Sequence, residues 1–459
     1  MVKKAFAGLL ALSMLGAVSL AGCASNKDEE GSKASSAPAA TAAASAQATT
    51  QPTAKAEKVT INFMHLWPAG SSKQQNVIVN KIIDDYTRAN PNVTVKQEIL
   101  ENEQYKSKLK VLSASNQLPD VGMTWAAGFL EPYVKGNLFA TLDDGLQGKL
   151  KDKFVAGTTE AYAIAGKTYA YPLELNITPV YYNKALFAKY GLKVPGTYDE
   201  FLEVVKTLAK NNVVAPIALG NKDRWTGSLW YMYLANRIGG TDPLKKAVDR
   251  SASFEEPSLI RAAKEIQQLV DLNAFNKGFN GLSNDEGKSE FMNEKAAMYM
   301  MGTWELPNFT TNPDVPKAFK DNVGFFKFPT VSGGKSDVNS WVGGPGVGLF
   351  VAQNSKVKEE AKKFVEYFVE QWGKVSVTDA GVIPATKVDT SAVQLPALYI
   401  DLLKELNNAS SITLFADVQM KPSAAEAHLN MIQAIFGKAV TPEDFAKKHE
   451  EALTKAASE

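Results

Sequence analysis

One cysteine and three histidines in 459 residues are too few for a Cys/His zinc site or a disulfide framework, so no structural metal and no cofactor is expected. Charge of one sign is also missing. The 50 Lys and Arg balance 49 Asp and Glu, and no window carries the basic stripe a polyanion demands, which sets nucleic acid aside as a partner. Past the N-terminal segment, no run approaches the roughly 18 uninterrupted apolar residues of a membrane span. The catalytic patterns G-x-S-x-G, H-E-x-x-H and G-x-x-x-x-G-K-[ST] are absent, and Ser-x-x-Lys, which falls at Ser107, Ser332 and Ser355, is too scattered to inform. What is present is 45% hydrophobic residues and 10% aromatics. That is the composition of a well-buried globular chain, with length enough for two or three domains at about 150 residues each.

Residues 1–22 read as a targeting segment. Lys3 and Lys4 form a basic start, Ala5 to Ser19 an apolar stretch too short to span a bilayer, and Leu20-Ala21-Gly22-Cys23 a closing tetrapeptide that resembles the bacterial lipobox. The resemblance implies that Cys23 becomes a lipidated mature N-terminus, holding the protein outside the cytoplasm at the cell membrane. The alternative is an ordinary secretory signal in which Cys23 is incidental. Residues 24–57 contain no Leu, Ile, Val, Phe, Tyr or Trp and cannot form a core. Together with Cys23 they read as a tether, spanning about 30 Å as a flexible coil.

From Val59 the sequence alternates, with Val59, Ile61 and Phe63 on one face of a strand. A helix follows, capped by Ser71 or Ser72, striped by Ile78, Ile82, Ile83 and Tyr86 and stopped at Asn90-Pro91. Val93 to Ile99 returns to strand, Tyr105 to Asn116 to helix, and Asp120 to Thr124 to a short buried strand. Such alternation predicts a parallel sheet with helices on both faces. Later come a capping box at Thr197 to Glu200 and helices near 228–238, 258–272, 356–372 and 442–455. The last is capped by Thr441, with Pro442 in its first turn. Two α/β lobes are expected.

Seven tryptophans carry the functional signal. Trp372 repeats with Phe364 and Phe368 at helical spacing and reads as core. Trp67 and Trp125 follow strands, at the carboxyl ends where open α/β sheets place ligands. Trp304 follows the apolar run Ala296 to Met301, Trp341 precedes a glycine run that includes Gly343, and Trp225 and Trp230 flank a helix start. Flat indoles among carboxamides and carboxylates suit sugar rings, whose CH faces stack while their hydroxyls hydrogen-bond in the ring plane. Any single one of these tryptophans could equally be a packing residue. The run Gly343-Gly344-Pro345-Gly346 misses the dinucleotide spacing and reads as a close backbone approach or an interlobe crossing.

Several segments, in order and spacing, resemble the extracellular solute-binding proteins, family 1, that serve carbohydrate ABC importers. They are Leu118 to Trp125, Leu130-Glu131-Pro132-Tyr133, Tyr171-Pro172 through Lys184, Pro216 to Leu219 with the Trp225 region, Phe291 to Trp304, Val342-Gly343-Gly344, and Gly381 to Ala385. The resemblance implies two Rossmann-like lobes joined by hinge crossovers, the periplasmic-binding-protein-like type II fold. The lobes would be 58–158 plus 343–387 and 159–342 plus 388–459, with crossings near 156–162, 340–345 and 385–392. It further implies a monomer that closes on a carbohydrate, is anchored through Cys23, and delivers its ligand to ABC permease subunits. Trp67, Trp125 and Trp304 match recurrent stacking positions. Asn176 stands where the maltose-binding member has an acidic cleft residue, and Ala126-Ala127-Gly128 also lacks an acid, both of which argue against maltose. At Asn293-Glu294 the usual glycine before Lys-Ala-Ala-Met is missing, a place where Asn tolerates positive φ.

The remaining candidates have two readings each. His65 either donates to a sugar hydroxyl or packs as a neutral imidazole beside Trp67. Glu174, Arg224 and Glu305 are either cleft groups or ion pairs at the surface or hinge. A lipid-anchored glycoside hydrolase, with its two carboxyls drawn from Asp120, Glu174 and Glu305, is the rival class, and a non-sugar solute is a further alternative. The preferred reading is binding without catalysis.

Overall fold

The computed structural model describes residues 57–212 and 214–458. The expected leader, the tether up to residue 56 and Cys23 lie outside the described residues. Among the described residues three sheets of three or more strands organise the fold, beside one two-stranded ribbon. The first runs Val93–Ile99, Val59–His65, Val121–Thr124, Gly348–Val351 and Tyr171–Pro172 in spatial order. Val59–His65 pairs in parallel with both its neighbours, as the alternation predicts. Gly348–Val351 runs antiparallel to both its neighbours, Val121–Thr124 and Tyr171–Pro172, because the chain re-enters this sheet from its distal half. The sheet is therefore mixed, not parallel throughout.

Helix Lys73–Ala89 covers this sheet through Ile78, Val79, Ile82, Ile83 and Tyr86; it starts after Ser72 as expected, but the Ser72 side chain makes no capping hydrogen bond. Tyr86 meets Phe364 of helix Lys358–Val375 at 5.1 Å between ring centres. Phe63 packs on Phe364 and Phe368 from the sheet side. Each such large side chain, fully buried, contributes about 1.5–3 kcal/mol.

The second sheet runs Val323–Phe326, Val180–Asn183, Ala296–Met300 and Ala215–Ala218. Beside it lies helix Trp225–Gly239, buried along nearly its whole length and packed against Pro257–Asp271 and Pro422–Phe436. It begins three residues earlier than its apolar pattern indicates. The capping box at Thr197 forms as expected, Thr197 Oγ1 accepting from Glu200 N at 3.3 Å and Glu200 Oε2 from Thr197 N at 3.1 Å. At the turn before Lys295 it is Glu294, at φ 58°, that takes the left-handed conformation, while Asn293 stays at φ −91°. The expected tolerance by Asn is thus not what this turn uses.

A third, three-stranded sheet joins the other two: Ser411–Thr413, Ser340–Pro345 and Leu175–Ile177. Ser340–Pro345 links the second sheet to the first, and Leu175–Ile177 links the first to the second, antiparallel to it. Tyr171–Pro172 still pairs with Gly348–Val351, so the chain leaves the first sheet after Pro172. Gly343 is required by the close approach of these crossings, since a Cβ there would lie 2.1 Å from the Asn176 carbonyl oxygen. No described helix is long and apolar enough to cross a membrane.

Candidate ligand cleft

Between the two larger sheets and beside the crossing strands lies a cavity of about 500 Å³, the volume of a small-molecule site. Four of the expected tryptophans, Trp67, Trp125, Trp225 and Trp304, line it. Trp67 follows strand Val59–His65 and stacks on Trp372 at 4.4 Å with the planes 2° apart, so the core residue Trp372 backs a cleft residue. Trp125 follows strand Val121–Thr124, edge-on to Tyr105 and Phe129, with Lys106 Nζ 5.1 Å from its ring centre. Trp304 meets Trp225 at 6.0 Å and Phe415 at 5.8 Å, both edge to face. Its ring lies directly over Gly302, where a Cβ would come within 2.1 Å of it. The flat lie of this indole depends on that glycine.

Glu174 and Asn176 reach the cavity from the crossing. Asn176 Oδ1 accepts from Thr303 Oγ1 at 2.9 Å, while its amide nitrogen has no partner. Glu174 Oε1, Asn102 Oδ1 and Trp225 Nε1 are likewise buried and unpaired, and all border the cavity. A buried polar group left unmet costs about 1–3 kcal/mol, so these four favour an occupant bearing both donors and acceptors. Burial pushes the Glu174 carboxyl up to about 7. Burial also raises Asp223 and Asp417, against the pull of the Asn284 amide and of Lys106 respectively.

Glu305 lines the cavity and pairs with Lys288 at 3.4 Å, a pair that is buried and not at the surface. Burial opposes the Lys288 charge, but Glu305 and Asp285 outweigh it and hold the ammonium above its usual range. Two contacts cross the cleft mouth from helix Lys73–Ala89. Gln75 Nε2 donates to the Trp304 carbonyl at 3.2 Å, and Lys73 pairs with Asp314.

Five expected site residues lie elsewhere. His65 is fully buried and occupied at both nitrogens. Its Nδ1 accepts from Trp67 N at 3.3 Å, which leaves Nε2–H to donate to Gln97 Oε1 at 3.0 Å. Burial lowers it to about 4 despite that bond, so it is the neutral packing imidazole. Trp230 is enclosed by Phe201, Phe275 and Phe328 at about 6 Å. Trp341 is buried on the crossing strand. Arg224 pairs with Glu426 at 2.6 Å and Asn430 at 2.7 Å at the surface. Gly343 serves the strand crossing described above. Sequence reasoning missed Gln75, Asn102, Asp223, Ser228, Lys288, Phe415 and Asp417. Only Asp223 carried a signal, as a polar residue just before a helix start.

Among the described residues no group of three or more His, Cys, Asp or Glu is placed to hold a metal ion. Comparison with known proteins agrees with the geometry. The sequence profile described as bacterial extracellular solute-binding protein matches residues 69–371. The multiple sugar-binding protein of Streptococcus mutans is 29% identical over 323 residues, 68% of this chain and 71% of that one. The diacetylchitobiose binding protein of Streptomyces coelicolor is 28% identical, over 63% and 66% of the two chains. A solved structure described under xylan utilization by the thermophilic bacterium Caldanaerobius polysaccharolyticus superposes with a TM-score of 0.80 at 34% identity, covering 85% of this chain and 99% of that one. The two named relatives are binding proteins rather than enzymes. With its two-lobed fold and a profile match across well over half its length, this chain belongs to the bacterial extracellular solute-binding protein family.

Proposed function

We propose that this protein captures an oligosaccharide between its two lobes and presents it to the permease subunits of an ABC importer. The observation that carries this reading is the pairing of four indoles with unmet polar atoms of both kinds, donors at Asn176 Nδ2 and Trp225 Nε1 and acceptors at Glu174 Oε1 and Asn102 Oδ1. A sugar presents CH faces to the first and hydroxyls to the second. The hinge is formed by Leu175–Ile177 and Ser340–Pro345, and the ligand favours closure because only the closed form brings both lobes to it. The similarity to a structure from a xylan-utilization system makes xylo-oligosaccharides the first ligands to try. Anchoring through a lipid on Cys23 and a monomeric state complete the proposal.

A glycoside hydrolase fits less well. Asp120, one of its three candidate carboxyls, accepts from Asn62 N at 2.8 Å and Ser355 Oγ at 2.6 Å and does not border the cavity. Glu305 is engaged by Lys288 and by Asn308 at 2.7 Å. The test is a thermal-shift and calorimetric screen of the full chain against xylotriose, raffinose, stachyose and diacetylchitobiose, with chromatography of the recovered sugar. Stabilisation with intact sugar is expected. Cleaved sugar would move the reading to hydrolysis, and no shift with any sugar would remove it. Mass spectrometry of the membrane-extracted protein decides whether Cys23 carries diacylglycerol.

A further inference from the structure

The site uses neither of the other two histidines, yet they are joined to its wall. His428 and His449 are buried on helices Pro422–Phe436 and Pro442–Ala457. Four groups form one hydrogen-bonded line. His449 Nδ1 is 2.7 Å from the Phe445 carbonyl, His449 Nε2 is 2.8 Å from His428 Nδ1, and His428 Nε2 is 2.7 Å from Ser228 Oγ. A carbonyl only accepts, so His449 carries its proton on Nδ1 and must accept at Nε2. His428 then donates from Nδ1 and accepts at Nε2, and the Ser228 hydroxyl is the donor to it. One backbone carbonyl thus fixes every proton in the line.

Ser228 borders the cavity, one turn of helix Trp225–Gly239 beyond the cleft residue Trp225. With its hydrogen committed inward, its oxygen has only lone pairs to offer a ligand. We propose that Ser228 is a specificity-determining, acceptor-only contact of the cleft, which takes a hydrogen bond from a ligand hydroxyl and rejects any group there that lacks a donor. His428 and His449 are the positioning residues that hold it so. The inference rests on the oligosaccharide reading and adds a hydrogen-bond polarity to one of its contacts.

A serine bonded to an imidazole also resembles a nucleophile with its base, but this line lacks what that chemistry needs. An imidazolium must be stabilised by an anion, and here the last partner is a neutral carbonyl. The rings around it are apolar, with Phe254 stacked on His449 at 4.2 Å and Phe445 at 4.3 Å. Burial accordingly drives both imidazoles toward the neutral form, His449 to about 4 and His428 well below its ordinary value, with His449 adding to the effect on His428. The Ser228 amide is itself spent on the Arg224 carbonyl at 3.2 Å. The line holds a proton in place and has no means of moving it.

The test is calorimetric titration of the full chain with whichever of xylotriose, raffinose and diacetylchitobiose binds, and with its complete set of monodeoxyfluoro analogues, in which fluorine keeps the bulk of a hydroxyl but cannot donate. In the wild type one position is expected to lose about tenfold or more in affinity on fluorination, as buried acceptors left unpaired do. In Ser228→Ala that penalty disappears while those at other positions stay. In His428→Leu the freed hydroxyl can turn toward the ligand, and the penalty at the same position shrinks. Nitrogen-15 imidazole spectra are expected to show His428 and His449 as Nδ1–H tautomers. An Nε2–H tautomer at either residue, or penalties that Ser228→Ala leaves unchanged, overturns the proposal. So does acetate release from acetylated xylotriose that Ser228→Ala abolishes, which would make Ser228 a nucleophile. If no sugar binds the wild type, it is the oligosaccharide reading that has failed, and this one falls with it.

Discussion

Trp225 and Trp230 stand five residues apart on one helix, and only the first meets the cavity. At 3.6 residues per turn, five positions rotate the side chain by about 140°, which on this helix is the difference between the cleft and the middle of a lobe. Trp230 is closed in by three phenylalanines. Trp225 has Trp304 on one side and leaves its indole N–H without a partner. The indole N–H is unpaired in both, so what sets the cleft indole apart is the face it turns to the cavity, which the core indole lacks. Residue type and nearness to a helix start did not separate the two cases; the direction of the side chain did.

The comparison is broken most sharply at Trp230. Trp230→Ala is expected to lower unfolding free energy by about 3–5 kcal/mol, read from the denaturation midpoint, with the sugar affinity of the folded fraction unchanged. A large affinity loss with little loss of stability would put Trp230 in the wrong class. Glu174 tests the buried polar groups of the cleft. Its pKa stands near 7 in the fold against the ordinary 4.5, so the stabilisation it provides when protonated is complete below about pH 4.5 and is lost as pH rises through 7. The shift corresponds to about 3 kcal/mol. The three histidines have lowered values and act in the opposite sense, gaining stability as pH rises toward 6.5. The quantity to measure is therefore the difference between wild type and Glu174→Gln, in which they cancel. In the unliganded protein the variant should gain on the wild type progressively between pH 4.5 and 7. A constant difference across that window would show that Glu174 is not buried as a neutral acid.

The part of the site legible in the sequence is the part that a strand delivers directly. Trp67 and Trp125 each follow a strand of the first sheet, and Trp304 follows Ala296–Met300 in the second. Strand alternation gave the place of Trp67, and short apolar runs gave those of Trp125 and Trp304. Asn176 was found by resemblance to a family, and Glu174 was left with two readings, since a crossing strand has no pattern that marks its inward side. The rest came from distance along the chain. Ser228 and its partner His428 are 200 residues apart, and Phe415 and Asp417 arrive from the far end of the chain on a short turn without a motif. The mixed first sheet was missed for the same reason, its fourth strand belonging to a segment more than 200 residues beyond the third. His65 was readable in both of its roles until Gln97 and the Trp67 amide were seen to take both ring nitrogens.

Two smaller effects sharpen the contrast. Trp304→Ala removes the ring that lies over Gly302 and closes one side of the cavity, while the sheet beneath it stays packed. It is expected to weaken sugar binding by about 2 kcal/mol, roughly thirtyfold, and to leave the unliganded melting temperature near that of the wild type. Arg224→Ala marks the lower limit. This residue sits next to Trp225 in sequence, at φ 66°, and its guanidinium turns outward to a half-exposed Glu426. A pair so placed is screened by solvent and is worth under about 1 kcal/mol. The left-handed backbone that Arg224 already adopts is no easier for Ala, so the substitution should change neither stability nor affinity beyond that bound. An affinity loss as large as that of Trp304→Ala, in a variant that melts normally, would mean that the guanidinium turns inward when ligand arrives, and that the cleft boundary runs one residue further than the indole of Trp225.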